Sequence, residues 1–168
     1  LDEVEPLLER ALAYNQESVQ KGFKDRGMGR TLEIRGELLF AKGDFEGALQ
    51  AARESAAAFR ESKRHHLADE VDAKVGLLLI LAGKPKAAKS LASNLWQEHH
   101  EARDRGRLLA YNSITLMKLS LCSSNEKDAN DKERAARAWA KSGPGGESLI
   151  RLLEWVKDEK KMPCPQWR

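Results

Sequence analysis

Gly36-Glu37-Leu38-Leu39-Phe40-Ala41-Lys42-Gly43-Asp44-Phe45-Glu46-Gly47-Ala48 returns 40 residues later as Gly76-Leu77-Leu78-Leu79-Ile80-Leu81-Ala82-Gly83-Lys84-Pro85-Lys86-Ala87-Ala88. Two glycines, a leucine between them and a following alanine keep their spacing. A fixed period of this length belongs to stacked helical repeats. Gly36 and Gly76 interrupt apolar helical runs, where glycine costs about 1 kcal/mol against alanine, so close approach of a neighbouring helix is the expected compensation. Gly43 and Gly83 end those runs by accepting a left-handed conformation. Asp44 then caps the next helix, and Pro85 suits a first helical turn because its missing donor is not needed there. The unit reads helix, tight turn, helix, with Ala48 and Ala88 leaving room for the crossing.

Working outward, helices are expected near residues 2–20, 29–42, 45–61, 67–82, 85–100, 105–121, 131–141 and 147–160. Repeat-like units fall at about 25–61, 64–101 and 103–141. The third is placed by matching Leu109, Ser113, Leu116 and Ser120 to Leu32, Gly36, Leu39 and Gly43. The polar run SSNEKDANDKE (123–133) reads as an insertion that delays the following helix and, lacking large apolar residues, stays mobile or is held by a partner. Leu149, Ile150, Leu153 and Val156 give the last helix one apolar face, suited to capping the end of the stack. The proline-containing end MPCPQWR (162–168) reads as a non-helical, dispensable tail, with Trp167 as an anchor for a partner.

Gly36, Leu39, Gly43, Asp44, Phe45 and Ala48 resemble the signature positions of the tetratricopeptide repeat: small, large apolar, glycine, acidic, aromatic, small. The period matches the long-helix variety of that family, and the resemblance covers residues 25 to 141. It implies an all-α solenoid of antiparallel helix pairs whose first helices line a groove for a protein partner. Position by position it points to Arg30, Glu33, Glu37 and Phe40, then Glu70, Ala73, Leu77 and Ile80. In the third unit it points to Arg107, Ala110, Ile114 and Met117, with Tyr111 and Lys118 beside them. Members that hold a chaperone's C-terminal carboxylate use lysine and asparagine there; Glu33 and Glu37 speak against that activity. An amphipathic helix or extended segment with a basic flank fits better. The alternative is that the apolar strip is core, filled by a helix of the same chain.

Composition supports one compact domain over residues 1–161. The chain has 168 residues, 41% hydrophobic and only 6% aromatic, enough for an unassisted core. No alternating run reads as a strand. A net charge of +3 sets up no field for nucleic acid, and no run approaches a membrane span. Leu1 in place of Met suggests a fragment or a processed product, so an upstream targeting sequence stays open.

Chemistry-bearing motifs are sparse. His65-His66 and His99-His100 fall at helix ends, but neighbouring histidines point apart on a helix and lack ligand spacing, so no metal is expected. Gly143-Pro144-Gly145-Gly146-Glu147-Ser148 has Glu147 where a phosphate loop needs lysine, and reads as a linker. Cys122 and Cys164 read as reduced thiols of a cytoplasmic or other reducing compartment; a bridge between them is the alternative in an oxidising one. Trp96, Trp139 and Trp155 belong to helices and read as packing residues. No nucleophile, base and oxyanion donor converge. A non-catalytic interaction module without cofactor is therefore expected. The runner-up is a permanent subunit of a larger assembly, held through its convex face, insertion and tail.

Overall fold

The computed structural model describes residues 3–21, 27–101, 106–141 and 145–164. They form eight helices: α1 (Val4–Gln20), α2 (Met28–Ala41), α3 (Phe45–Glu61), α4 (His65–Leu81), α5 (Pro85–His99), α6 (Gly106–Cys122), α7 (Glu126–Ala140) and α8 (Gly146–Lys157). No strand occurs among the described residues. The chain groups into two compact units, Leu1–Asp72 and Ala73–Arg168, with the division inside α4.

One turn, built four times, joins the helices. At Gly43 the amide of Asp44 donates to Leu39 O (3.0 Å) and that of Gly43 to Phe40 O (3.0 Å). Arg64 to Phe59 and Lys63 to Arg60, Lys84 to Leu79 and Gly83 to Ile80, and Asn125 to Ser120 and Ser124 to Leu121 repeat the pair. This is the helix-closing motif that satisfies the last carbonyls through one left-handed residue. That residue is Gly43 (φ 82°), Lys63 (φ 60°), Gly83 (φ 69°) and Ser124 (φ 57°). The two glycines were legible; the lysine and serine adopt the same conformation without the glycine that advertises it.

Ser124, rather than Ser120, therefore closes the third unit's first helix, and the third copy sits one helical turn later than the sequence match placed it. In this register Asn125 stands where Asp44 stands and accepts a bond from the Asp128 amide, as Asp44 does from Gly47. Ala129 joins Ala48 and Ala88 as the third buried small residue. The supposed insertion is the first part of α7. Glu126 and Asp128 lie in its first turn, where acidic side chains favour the helix dipole. Arg134 pairs with Asp131 and Arg137 with Glu133 along the same helix. The run is polar because most of that helix surface faces water, and its backbone is ordered by its own ladder.

In the first unit α2 packs on α3 and α1 on α2. A Cβ added at Gly36 would lie 3.4 Å from Ala48 O and 3.7 Å from both Ala51 Cβ and Ala52 N, the expected close approach. Ser55 Oγ donates to Gly29 O across the pair (2.7 Å, buried). Leu12 seats α1 against Leu32, Ala58 and Met28, and Asn15 donates to Thr31 Oγ1 (2.9 Å).

In the second unit α6 is central, packing on α5, α7 and α8. Gly76 meets Thr115 of α6, with Oγ1 at 3.0 Å from an added Cβ, so the second repeat glycine has a different neighbour from the first. Asn112 Nδ2 donates to Ala92 O (2.8 Å, buried). Leu95, Leu108, Leu109 and Ala73 form a core with half-buried Trp96, Tyr111 and Trp139 at its margin. Leu149 and Ile150 of α8 pack with Ala110, Tyr111 and Ala140. Glu133 bridges Arg137 and Lys157, and Arg137 also reaches Glu154, tying α7 to α8.

After α8 the chain turns at Asp158, whose carbonyl accepts from the amides of Lys161 (3.0 Å) and Met162 (2.9 Å). Met162 is completely buried, and Cys164 is disulfide-bonded to Cys122. Two expectations are corrected. The cysteines are joined although 42 residues separate them, because α7 and α8 fold back along α6. Residues 162–164 are non-helical, as expected, but they are attached to the unit by the buried Met162 and the Cys164 bond rather than free of it. Trp167, the expected anchor, lies outside the described residues.

Candidate partner-binding faces

The groove positions divide sharply by burial. Leu77, Ile80, Ile114, Met117 and Lys118 are all buried, none more than 6% exposed. They are core, correcting the expectation of an exposed apolar strip. For α6 the cover is the chain itself: α8 packs on it, and the Cys122–Cys164 bond returns the chain to its last turn. Burying hydrocarbon of this size against a neighbouring helix is far more favourable than leaving it in water.

Of the charged positions on α2, Arg30 and Glu37 are exposed and Glu33 is buried. Arg30, Glu33 and Glu37 recur at helical spacing on one face of α2. Arg30 donates to Glu33, whose side chain is only 10% exposed. The guanidinium is held above its ordinary pKa by that bond and by the charge of Glu33, with Glu37 and Glu70 adding to it against burial. Arg30 pairs directly with Glu33, and Glu37 of α2 and Glu70 of α4 add to the field on its guanidinium. Phe40 is half-buried, its ring edge-to-face on Phe45 at 5.7 Å between centroids. In the second unit Arg107 is exposed, while Tyr111 is half-buried with the Lys74 ammonium 5.5 Å from its ring centre.

A cavity of ≈ 410 Å³ lies elsewhere in the second unit, lined by Lys89, Leu116, Leu119, Ser120, Ser123, Asn125 and Asp128. Ser120 donates to the Asp128 carboxylate at its polar end. None of the implied groove positions lines it, although Leu116 and Ser120, matched to the repeat signature in the third copy, do. Its residues come from α5, α6, the turn at Ser124 and α7, so the four-residue register error in the third copy hid it from sequence reading.

The histidine pairs are placed differently from one another. His65 and His66 open α4, at a helix N-terminus rather than a C-terminus, while His99 closes α5. His100 stacks on Trp96 at 5.9 Å, and Lys132 approaches the Trp96 ring at 4.6 Å. Among the described residues no three His, Cys, Asp or Glu side chains converge as a metal-binding group. Among them, too, no helix is long and apolar enough to cross a membrane. No protein-family model, curated protein or solved structure matches the chain.

Proposed function

We infer that this chain is a non-catalytic, tetratricopeptide-like helical-repeat module that binds a protein segment bearing basic residues. The single observation that carries this reading is the charge on α2 and α4, where Glu37 and Glu70 add to the field of the Arg30–Glu33 pair. These are the positions that line the partner groove in the family that the repeat signature resembles. A lysine or arginine from a partner would meet carboxylates already gathered there, and would compete with or complete the contacts of Arg30. Rim charges of this kind set orientation and association rate more than total affinity, so apolar anchors such as the half-buried Phe40 would supply the rest. The test is affinity capture from the native source, wild type against Glu37→Lys/Glu70→Lys. Proteins recovered by the wild type and lost with the variant, at an unchanged thermal midpoint, support the reading. Equal recovery by both counts against it.

A second reading, a permanent subunit of a larger assembly, is favoured by α1. Its residues Leu7 and Tyr14, 63% and 70% exposed, stand seven residues apart on one side of the helix, turned away from Leu8 and Leu12. Large apolar side chains left exposed on one side of a helix are the kind of surface that interaction sites use. Leu7→Glu/Tyr14→Glu should then release the chain from its native particle in a sedimentation profile, without altering its own unfolding.

A further inference from the structure

Lys118 and Cys122 stand four residues apart on α6 and therefore share a face. Lys118 is 0% exposed, a state lysine almost never reaches without compensation. The chain beyond α8 reaches the same face. Met162 is fully buried two residues before Cys164, which is bonded to Cys122. Asp158 and Glu159, at the start of this segment, lie close enough to Lys118 to favour its charge, while burial opposes it more strongly. Residues 158–164 are thus fastened at one end by α8 and at the other by a covalent bond to the face of α6 that carries the buried Lys118. Cys164 is exposed and Cys122 half-exposed, so the bond is open to attack from solvent.

We propose that Cys122–Cys164 is a redox-responsive latch that holds residues 158–164 over Lys118, and that a dithiol reductant opens it. A thiolate of the reductant attacks the exposed Cys164 sulfur; the S–S bond breaks and Cys122 leaves as a thiolate that takes up a proton. The reductant's second thiolate then attacks the mixed disulfide, releasing Cys164 as a thiol and leaving the reductant as a disulfide. Two electrons and two protons pass to the protein, and oxidation by a disulfide of higher potential reverses the step. Once the bond is gone the segment regains the freedom that the closed loop removed. The burial of Met162 then has to hold the segment down without the covalent bond, against the gain from hydrating the Lys118 ammonium. The open form presents a primary amine beside the apolar seat vacated by Met162, a surface the closed form lacks.

The test is amine-specific acylation of the full chain followed by peptide mass spectrometry, with exposed Lys89 as internal reference. Treatment with a dithiol, and separately Cys164→Ser, should raise Lys118 labelling relative to Lys89 on the order of tenfold, by local opening, with helical circular dichroism and a cooperative thermal transition retained. A second variant, Lys118→Met, removes the buried charge. In it Met162 should stay protected from peroxide oxidation after reduction, whereas in the reduced wild type it becomes reactive. Unchanged protection of Lys118 with both thiols titrated as free overturns the proposal. So does opening that occurs equally in Lys118→Met or only together with loss of the thermal transition, since the bond would then be a structural staple.

Discussion

Gly76 and Thr115 are in contact: a Cβ built on the glycine would stand 3.0 Å from Thr115 Oγ1 and 3.1 Å from its Cγ2. Thr115 is completely buried and its hydroxyl bonds to Tyr111 O, so it has no room to yield. Gly36 has more space, with its nearest neighbour 3.4 Å away. Gly76→Ala should therefore destabilise by about 1–3 kcal/mol through overpacking. Gly36→Ala should be tolerated, because helix propensity gains about 1 kcal/mol. Gly36→Leu, which drives a whole side chain into α3, should cost as much as Gly76→Ala. Thermal midpoints of the three variants check this; equal tolerance of both alanines would mean α4 and α6 do not approach at Gly76.

Lys63 and Ser124 hold left-handed backbone that costs an L-residue roughly 1–2 kcal/mol. Replacing either with glycine should stabilise the fold by about 0.5–1 kcal/mol, after allowing for the greater freedom of glycine in the unfolded chain. Denaturant midpoints should rise for Lys63→Gly and Ser124→Gly, whereas Gly43→Ala and Gly83→Ala should lower them.

Two carboxylates should act on pH stability with opposite signs. Burial raises the Glu133 pKa, but hydrogen bonds and charge from Lys157 and Arg137 outweigh it, so the net shift is downward. The stability it contributes is complete above the ordinary carboxylate range and is lost as pH falls through its lowered folded value. Asp72 is shifted upward by burial and by Asp69, more than Arg60 offsets. Its contribution is greatest below the ordinary carboxylate range and disappears as pH rises through its raised folded value. At neutral pH Glu133→Gln should therefore cost stability, on the order of 1 kcal/mol for a partly exposed pair. Asp72→Asn should be neutral or stabilising although it removes the Arg60 ion pair. Thermal midpoints between pH 3 and 8 would show each slope flattened in its variant.

Helices and the two glycine turns were legible because their signals are local. Gly43-Asp44 and Gly83-Lys84-Pro85 carry turn chemistry in their own side chains, and the apolar spacing of α8 needs no partner to be recognised. The turn inside the third unit was misplaced because Ser124 adopts a glycine conformation without being glycine, which let the polar start of α7 pass for a loop. Burial of Leu77, Ile80, Ile114, Met117 and Lys118 was not legible for a different reason. Helical periodicity gives the face of a residue, but the element covering that face is set by tertiary packing. For Lys118 the charges that act on it include Glu159 and Asp158, about 40 residues downstream. The disulfide escaped for the same reason, since sequence separation says little about two ends brought together by folded-back helices.

The charge on α2 and α4 is tested most directly by titrating the captured partner segment against wild-type protein and Glu37→Lys at low and high salt. Binding should weaken about tenfold in the variant, and salt should weaken the wild type far more than the variant. Affinities that agree between the two proteins and do not move with salt would show that the partner is held elsewhere and would contradict the proposed function.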